Sequence, residues 1–437
     1  MKLPAAALYA TIKDKAARNA LAKHFQKPNY FMDTMINILI LDTGKEWGGG
    51  TVSLLELLKR VDRNKYNFTA LFYCNYDRPN VSDIKSEIEK LNINFLLSER
   101  EAQPLPVKIL KEIGRVLFFY NRTLRKSFIF LIDYIFRIRI DASKISKIIK
   151  DLNIDLLYMN NNPSSNLEGI LAAKEAGIKS LLHSRFEAEL NCFEIKAVNK
   201  WLTKTICVSV GLKDSFVRQG IDSPKCVSVH NGIDTSIKPA VSPESIKQEL
   251  GIKENDLLIG SAGSLIKRKQ FSHLISSLSY LQSSMNIENI KCLIIGEGPE
   301  KASLQQEIES KKLNDKIILT GFKTDVISYI NALDIFLLTS EREGFSRVVI
   351  EAMLMGKPVI ASKIVGPSEL VLENETGFLF KTGDIAQLSE NILKLVSSHE
   401  MRNMMGEAGK KRVINNFSIE KYVSEVSAVF SELTASS

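Results

Sequence analysis

The sequence predicts an α/β protein made of two doubly wound domains, each built on a parallel sheet, facing one another across a cleft. Three observations carry that expectation. At 437 residues the chain exceeds what one ordinary core organises. Short apolar runs of buried-strand type alternate with segments of helical spacing, the pattern of strand–helix–strand crossovers. Near the middle, Pro239 and Pro243 interrupt a polar stretch, Ser236 to Glu244, that reads as a linker.

Taken in order, residues 1–34 are mixed polar and charged and lack the apolar core of a secretory signal. With Met32 and Met35 just before the first strand, they read as a flexible extension or an upstream start. Ile36–Leu41, Phe68–Tyr73, Ile93–Leu97, Asp155–Met159, Ser180–His183 and Thr205–Val208 are the strands of a first domain, 35–235. Leu257–Ala262, Lys291–Ile295, Ile317–Thr320, Ile335–Thr339, Val359–Ala361 and Gly377–Phe380 repeat the scheme in a second, 236–437, whose last helix is free to pack back on the first. Ligands of such sheets bind beyond the carboxyl ends of the strands, so the post-strand loops hold the candidate site.

Composition narrows the class. The five cysteines (Cys74, Cys192, Cys207, Cys226, Cys292) are scattered, which argues for a reducing compartment and against structural zinc. There is no Asp-x-Asp pair and no His/Cys cluster at ligand spacing, so no essential metal is expected. The segment 108–150 holds eleven Lys and Arg against Glu112, Asp133 and Asp141, an excess equal to the net charge of +8 of the whole chain. Leu117 to Tyr120, Phe128 to Leu131, Tyr134 and Phe136 interleave with those cations. Basic residues around an aromatic stripe suit an anionic membrane surface. The competing reading is a core helix with its arginines snorkelling outward. The apolar run is too short to span, and nucleic acid is not an expected partner.

Four loops carry the candidate chemistry. After the first strand comes Gly44-Lys-Glu-Trp-Gly-Gly-Gly-Thr51, whose Gly49 and Gly50 permit close backbone approach to a diphosphate or an acceptor, or simply a flexible loop. Its spacing is not that of a Walker A loop. Gly263-Ser-Leu-Ile-Lys-Arg-Lys-Gln270 offers Lys267, Arg268 and Lys269, cations suited to a leaving diphosphate or a solvated surface run. Gly296-Glu-Gly-Pro-Glu300 suits a tight turn below a nucleotide base or a plain connection. The fourth, Ser340 to Pro358, places Glu343 and Gly344 in a strand-to-helix turn and Glu351 two helical turns deeper, in apolar surroundings that demand a polar partner. Glu343 could cap the helix; the two carboxylates together could grip sugar and ribose hydroxyls. His183, at a strand end, is a candidate for the cleft mouth or for a structural role.

These residues together resemble the retaining group 1 glycosyltransferases of GT-B architecture, also called glycosyltransferase family 4. The resemblance is strong from about Val229 to Phe417: Val-His-Asn-Gly-Ile-Asp234, Gly-Ser-Leu265 with Arg-Lys269, Ile-Gly-Glu-Gly-Pro299, Gly-Phe322, Asp334, the Glu343/Glu351 pair, Gly-Lys-Pro-Val359 and Glu-Thr-Gly377. In the first half only the glycine loop and His183 match.

It implies two Rossmann-like domains and transfer of a sugar from a nucleotide-sugar donor to a glycan or lipid-linked acceptor, with retention, in the cytoplasm or at the inner face of a membrane. It also implies that Glu343 holds donor-sugar hydroxyls, Glu351 the ribose, and Lys269 with Arg268 the diphosphate. Backbone N–H groups near Phe345 and Ser346 would assist, His183 would face the reactive side of the sugar, and Gly49 and Gly50 would close over the phosphates. The loop glycines Gly296, Gly298 and Gly344 complete the implied donor site. Ser264 stands where the family often has arginine, and Gln270 replaces a usual glycine. Rival readings are a GT-B epimerase or phosphorylase, and a membrane-docked module that keeps the fold without catalysis.

Overall fold

The first sheet opens with β1 (Ile36–Asp42), crosses through α1 (Gly49–Arg60) to β2 (Tyr66–Phe72), and passes a short antiparallel pair, β3 (Asp77–Arg78) and β4 (Ser82–Asp83). Then come α2 (Ile84–Glu89) and β5 (Asn94–Leu97). A helical excursion follows: α3 (Leu105–Leu117), α4 (Arg122–Asp133), a π-helical turn (Tyr134–Ile138) and α5 (Arg139–Asp151). The sheet resumes with β6 (Leu156–Asn160), α6 (Leu167–Ala176), β7 (Lys179–Ser184), α7 (Cys192–Trp201), β8 (Lys204–Cys207), α8 (Val210–Arg218) and β9 (Cys226–Ser228). This computed structural model describes residues 35–44, 47–78, 82–100, 102–285 and 289–435. The expected N-terminal extension, 1–34, and Lys45 and Glu46 of the glycine loop lie outside the described residues.

After the linker, α9 (Pro243–Glu249) leads to β10 (Leu257–Ala262), α10 (Phe271–Met285), β11 (Ile290–Ile295), α11 (Lys301–Ser310) and β12 (Ile317–Gly321). The other half of this sheet is α12 (Val326–Ala332), β13 (Ile335–Leu338), α13 (Arg347–Leu354), β14 (Val359–Ser362), α14 (Pro367–Leu370) and β15 (Gly377–Phe380). Three helices close the chain: α15 (Ile385–Ser397), α16 (His399–Asn416) and α17 (Ile419–Thr434).

Strand order is β5-β2-β1-β6-β7-β8-β9 in the first sheet and β12-β11-β10-β13-β14-β15 in the second, with every pairing inside them parallel. In each, the order reverses beside the first strand, between β1 and β6 and between β10 and β13. Loops leaving those strands diverge to opposite faces and open a crevice. The strands are covered on both faces, which is why they read as continuous apolar runs: Ile38 to Leu41, Leu156 to Met159 and Ile335 to Leu338 are all buried. Most strand ends differ from the sequence reading by one or two residues, Tyr73 for example lying past β2. Val208 and Thr339 lie just past their strands, and β9, only three residues long, carried no periodic signal.

Both sheets belong to one compact unit. The helix α17 follows the second sheet yet lies on the first, where Phe430 meets Tyr66 at 5.5 Å and Tyr158 at 5.3 Å between ring centroids. Backbone bonds between Ile233 and both Phe417 and Ile419, each 2.9 Å, tie this return to the linker region.

The basic aromatic segment divides between the two expectations made for it. Ile132, Ile138, Ala142, Ile145 and Ile149 are buried, and Phe130 and Tyr134 pack against the core. Leu117, Phe119, Tyr120, Leu131 and Phe136 are exposed. Among the described residues no helix is long and apolar enough to cross a membrane.

Candidate active site

The carboxyl ends of β1, β6 and β7 hold a buried polar chain. Asp42, the last residue of β1, accepts hydrogen bonds from Asn160 Nδ2 (2.6 Å) and from the Gly44 N–H (2.6 Å). Burial pushes its carboxyl up, against the pull of those donors and of Arg185. Arg185 Nε donates to Asn160 Oδ1 (2.7 Å), and its Nη1 donates to Asn231 Oδ1 (2.9 Å) and lies 3.2 Å from His183 Nε2. The hydroxyls of Tyr158 and Tyr422 complete its shell at 3.4 Å. Arg185 is 8% exposed, and none of these partners is a carboxylate. A buried guanidinium whose direct hydrogen-bond partners are all neutral, with the Asp42 carboxyl behind Asn160 as its nearby acid, keeps charge to offer an anion.

At the second switch point, the loops after β10 and β13 interlock. The Thr339 hydroxyl donates to the Lys269 carbonyl (3.0 Å), the Glu341 N–H to the Arg268 carbonyl (2.8 Å), and Arg268 Nη1 to the Arg342 carbonyl (2.6 Å). Lys269 Nζ is thereby set 2.6 Å from Glu343 Oε1, which also accepts from Ser340 Oγ (2.9 Å) and lies 3.5 Å from Arg268 Nη1. Burial by itself would raise the Glu343 carboxyl; Lys269 first, then Arg268, outweigh it and hold the group ionised below its ordinary range. The polar partner demanded by Glu351 is Arg347, one helical turn earlier at 3.4 Å. No side chain caps α13, and Ser346 Oγ at its start is buried without a hydrogen-bond partner. The first turn of that helix therefore presents unspent donors beside Glu343.

The two halves meet at Gly344. A Cβ there would stand 2.1 Å from the Arg185 carbonyl oxygen and 2.9 Å from Phe186 Cα, so only glycine permits this approach. The glycine loop closes from the other side: a Cβ on Gly50 would lie 3.3 Å from Arg185 Cγ, and one on Gly49 would lie 3.6 Å from Arg347 Cδ. Gly344→Ala is expected to force these backbones apart at a cost of about 1–3 kcal/mol. Thermal unfolding checks it, and an unchanged Tm would mean that the contact does not persist in solution.

A latch lies nearby. The Glu369 carboxylate, in α14 of the second half, accepts from the Val210 and Gly211 N–H groups at the start of α8 (2.9 and 2.6 Å) and pairs with His230 Nε2 at 2.9 Å. Burial would raise its pKa; the His230 bond and the two N–H donors overcome that and lower it. Because the folded value lies below the ordinary 4.5, the latch stabilises above about pH 4.5 and is lost as pH falls through the folded value. Glu369→Gln is therefore expected to cost about 1 kcal/mol at neutral pH, the scale of a helix cap. A series of Tm against pH should show the gap between variant and parent closing in acid; a constant gap would exclude this linkage.

Of the residues singled out in the sequence, Lys269, Arg268, Glu343, Gly344 and Ser346 converge at the second switch point, and Gly49 and Gly50 reach it across the cleft through Arg185 and Arg347. Ser264 is exposed on the β10 loop. One placement corrects the sequence reading. His183 is not at the cleft mouth: it is fully buried, with Tyr158 OH 2.7 Å from Nδ1 and Arg185 on Nε2. Burial, with Arg185 adding to it, drives its pKa well down, so the ring is neutral. Gly296 and Gly298 have positive φ (149° and 159°) and serve backbone packing, since a Cβ would stand 2.0 Å from the Gly263 carbonyl and 2.4 Å from that of Leu265. Phe345 is buried between His230 and Phe417, at 5.3 and 5.5 Å. Gln270 adopts a left-handed conformation (φ 52°), the physical reason a glycine suits that position.

Sequence reasoning missed Arg185 and Arg347. A charged residue two places after a strand-end histidine, and an arginine four before an awkward glutamate, were the available signals. Among the described residues no three His, Cys, Asp or Glu side chains are placed to hold a metal ion.

Two parallel doubly wound sheets, with a paired carboxylate and cations at one switch point and a buried arginine at the other, define the GT-B class of two-domain α/β proteins. Residues 242–412 match the family model of glycosyl transferases group 1. The chain is 26% identical over 203 residues to N-acetyl-alpha-D-glucosaminyl L-malate synthase of Bacillus anthracis, covering 46% of this chain and about half (52%) of that relative. It is 26% identical over 303 residues to the UDP-Gal:alpha-D-GlcNAc-diphosphoundecaprenol alpha-1,3-galactosyltransferase of Escherichia coli, covering 66% and 78%. In fold it resembles the crystal structure of Anabaena HepE in complex with UDP-glucose, with a TM-score of 0.72, 20% identity, and coverage of 91% of this chain and 100% of that one. The sequence matches liken residues 242–412 to group 1 glycosyl transferases, and the structural likeness shows the shared fold.

Proposed function

We propose that this chain is a retaining hexosyltransferase that moves a sugar from a nucleotide-sugar donor to a glycan or lipid-linked acceptor in surface polysaccharide assembly, at the cytoplasmic face of a membrane and without an essential metal. The observation that carries it is the buried Lys269–Glu343 pair at the second switch point, with the partly exposed Arg268 beside it and the Arg185 backbone packed on Gly344. In this reading Glu343 exchanges part of its bond to Lys269 for donor-sugar hydroxyls, and Glu351 accepts from the ribose.

The anomeric carbon–oxygen bond to the diphosphate breaks, a bond to the acceptor oxygen forms on the same face, and the acceptor proton passes to the departing diphosphate. Lys269, Arg268 and the uncapped start of α13 hold the charge that develops. Arg185 supplies the cation that Ser264 does not, and His183, neutral and buried, positions Arg185 instead of touching the sugar. The sugar is transferred in a closed cleft, where excluded water cannot compete.

UDP-glucose in the Anabaena HepE structure and the diphosphoundecaprenol-linked substrate in the name of the Escherichia coli relative make UDP-sugars the first donors to try and lipid-linked glycans the first acceptors. A thermal-shift panel of nucleotide sugars tests the reading, since a ligand that binds only the folded state raises Tm. One UDP-sugar is expected to stand out, with turnover unaffected by EDTA. A flat panel across all bases would reject the donor site.

A further inference from the structure

The helices α3 and α4 break the usual rule of an amphipathic helix. Leu105, Ile109, Ile113 and Val116 line one side of α3 at helical spacing, and all are exposed, Val116 to 74%. At the tip, Phe119 and Tyr120 are 66% and 97% exposed. Leu124 and Leu131 extend the apolar surface along α4. Solvent-facing apolar surface on this scale marks an interaction site.

The hairpin is firmly built all the same. Gly114 lets α4 approach so closely that a Cβ would stand 2.2 Å from the Phe128 ring, and Lys111 Nζ pairs with Asp133 at 2.6 Å across the two helices. Its base is tied to the helices that follow β6 and β7, at the carboxyl ends of those strands. Glu168, buried in the first turn of α6, pairs with Arg100 and with Arg137 of the π-helical turn. Phe130 and Tyr134 pack on Phe193 at 5.4 and 5.0 Å, and Lys126 reaches Glu189 (3.6 Å) on the loop that carries Arg185.

Charge identifies the occupant. Lys108 lies along the exposed stripe of α3, Arg122 and Arg125 flank Leu124 on α4, Arg139 opens α5, and none of the four makes an ion pair among the described residues. A second copy of the chain would bring two such basic segments together, which repulsion opposes; an anionic lipid surface neutralises them.

We propose that α3 and α4 form a membrane anchor that lays its apolar face into an anionic leaflet, with Lys108, Arg122, Arg125 and Arg139 on headgroup phosphates, and so holds the cleft mouth beside a lipid-linked acceptor. The choice of acceptor rests on the transferase reading; the anchor itself does not. The hairpin lies in the interface plane, as its length requires.

The full chain should sediment with vesicles of phosphatidylcholine and phosphatidylglycerol, less so at high salt, and far less with phosphatidylcholine alone. Arg122→Gln with Arg125→Gln should weaken partitioning roughly 25-fold, at about fivefold per cation. Val116→Asp with Leu117→Asp should weaken it more than tenfold. Both double variants should keep the parent's Tm, which shows that they fold.

Equal binding to both vesicle types, no binding to either, or folded variants that bind like the parent would overturn the anchor. So would a soluble dimer that Val116→Asp with Leu117→Asp splits, which assigns the face to a second copy. A chain that fails to sediment yet shifts with UDP-glucose loses the anchor and keeps the transferase reading; one that sediments and shifts with no nucleotide sugar does the reverse.

Discussion

Replacing Lys269 with alanine is expected to lower kcat by about 10²-fold or more, the scale of losing one group that stabilises transition-state charge. Its side chain is 13% exposed and its Nζ lies 2.6 Å from Glu343, so in the proposed reading the substitution removes a cation from the departing diphosphate and the main partner of a buried carboxylate at once. With only Arg268 at 3.5 Å and Ser340 left, the Glu343 carboxyl should move upward toward its ordinary range, and the acid limb of the pH–rate profile should move up with it. Lys269→Arg keeps the charge and should recover part of the rate. Single-turnover kinetics of a variant with unchanged Tm check this. Parent-like turnover, or a loss explained wholly by unfolding, would remove Lys269 from the chemistry.

Arg185→Ala is expected to weaken UDP binding about 10- to 100-fold, from a charge-assisted contact worth about 1.5–3 kcal/mol. It should also destabilise the fold, because Asn160, Asn231 and His183 lose a shared donor in a buried setting. Calorimetric titration with UDP, beside a Tm measurement, separates the two effects. If Tm falls while UDP affinity holds, the guanidinium is structural and the anion site lies elsewhere. Arg185→Lys should retain charge but not the fork that reaches Asn160 and Asn231 together, so intermediate affinity is the expected result.

Much of this architecture was legible from residue order. Every long strand was visible as an apolar run, because a parallel strand covered on both faces carries no polar alternation. The helix after Gly344 was implied by spacing, and so was the need of Glu351 for a polar partner; that the partner is Arg347, four residues before it, was not read. What else escaped notice needed long-range contact. His183 ends a strand, as expected, but only the packing of α17, whose Tyr422 ring lies 6.1 Å from it, decides that the imidazole is sealed from the cleft. For Gly296 and Gly298 the sequence left a ligand turn and a plain connection open, because close approach to a base and close approach to a neighbouring loop ask the same thing of a backbone.

The sequence by itself therefore determined the two doubly wound sheets, the loops that hold the chemistry and the presence of a buried acid in one of them. Those properties are local: strand burial, turn glycines and helical spacing depend on residues a few places apart. Tertiary structure decided which charges meet. Lys269 and Glu343 are 74 residues apart and Arg185 lies in the other half, so their juxtaposition follows from strand order at two switch points. It also decided that the α3–α4 stripe faces outward, since helical spacing is the same whether the apolar side meets a core or a solvent.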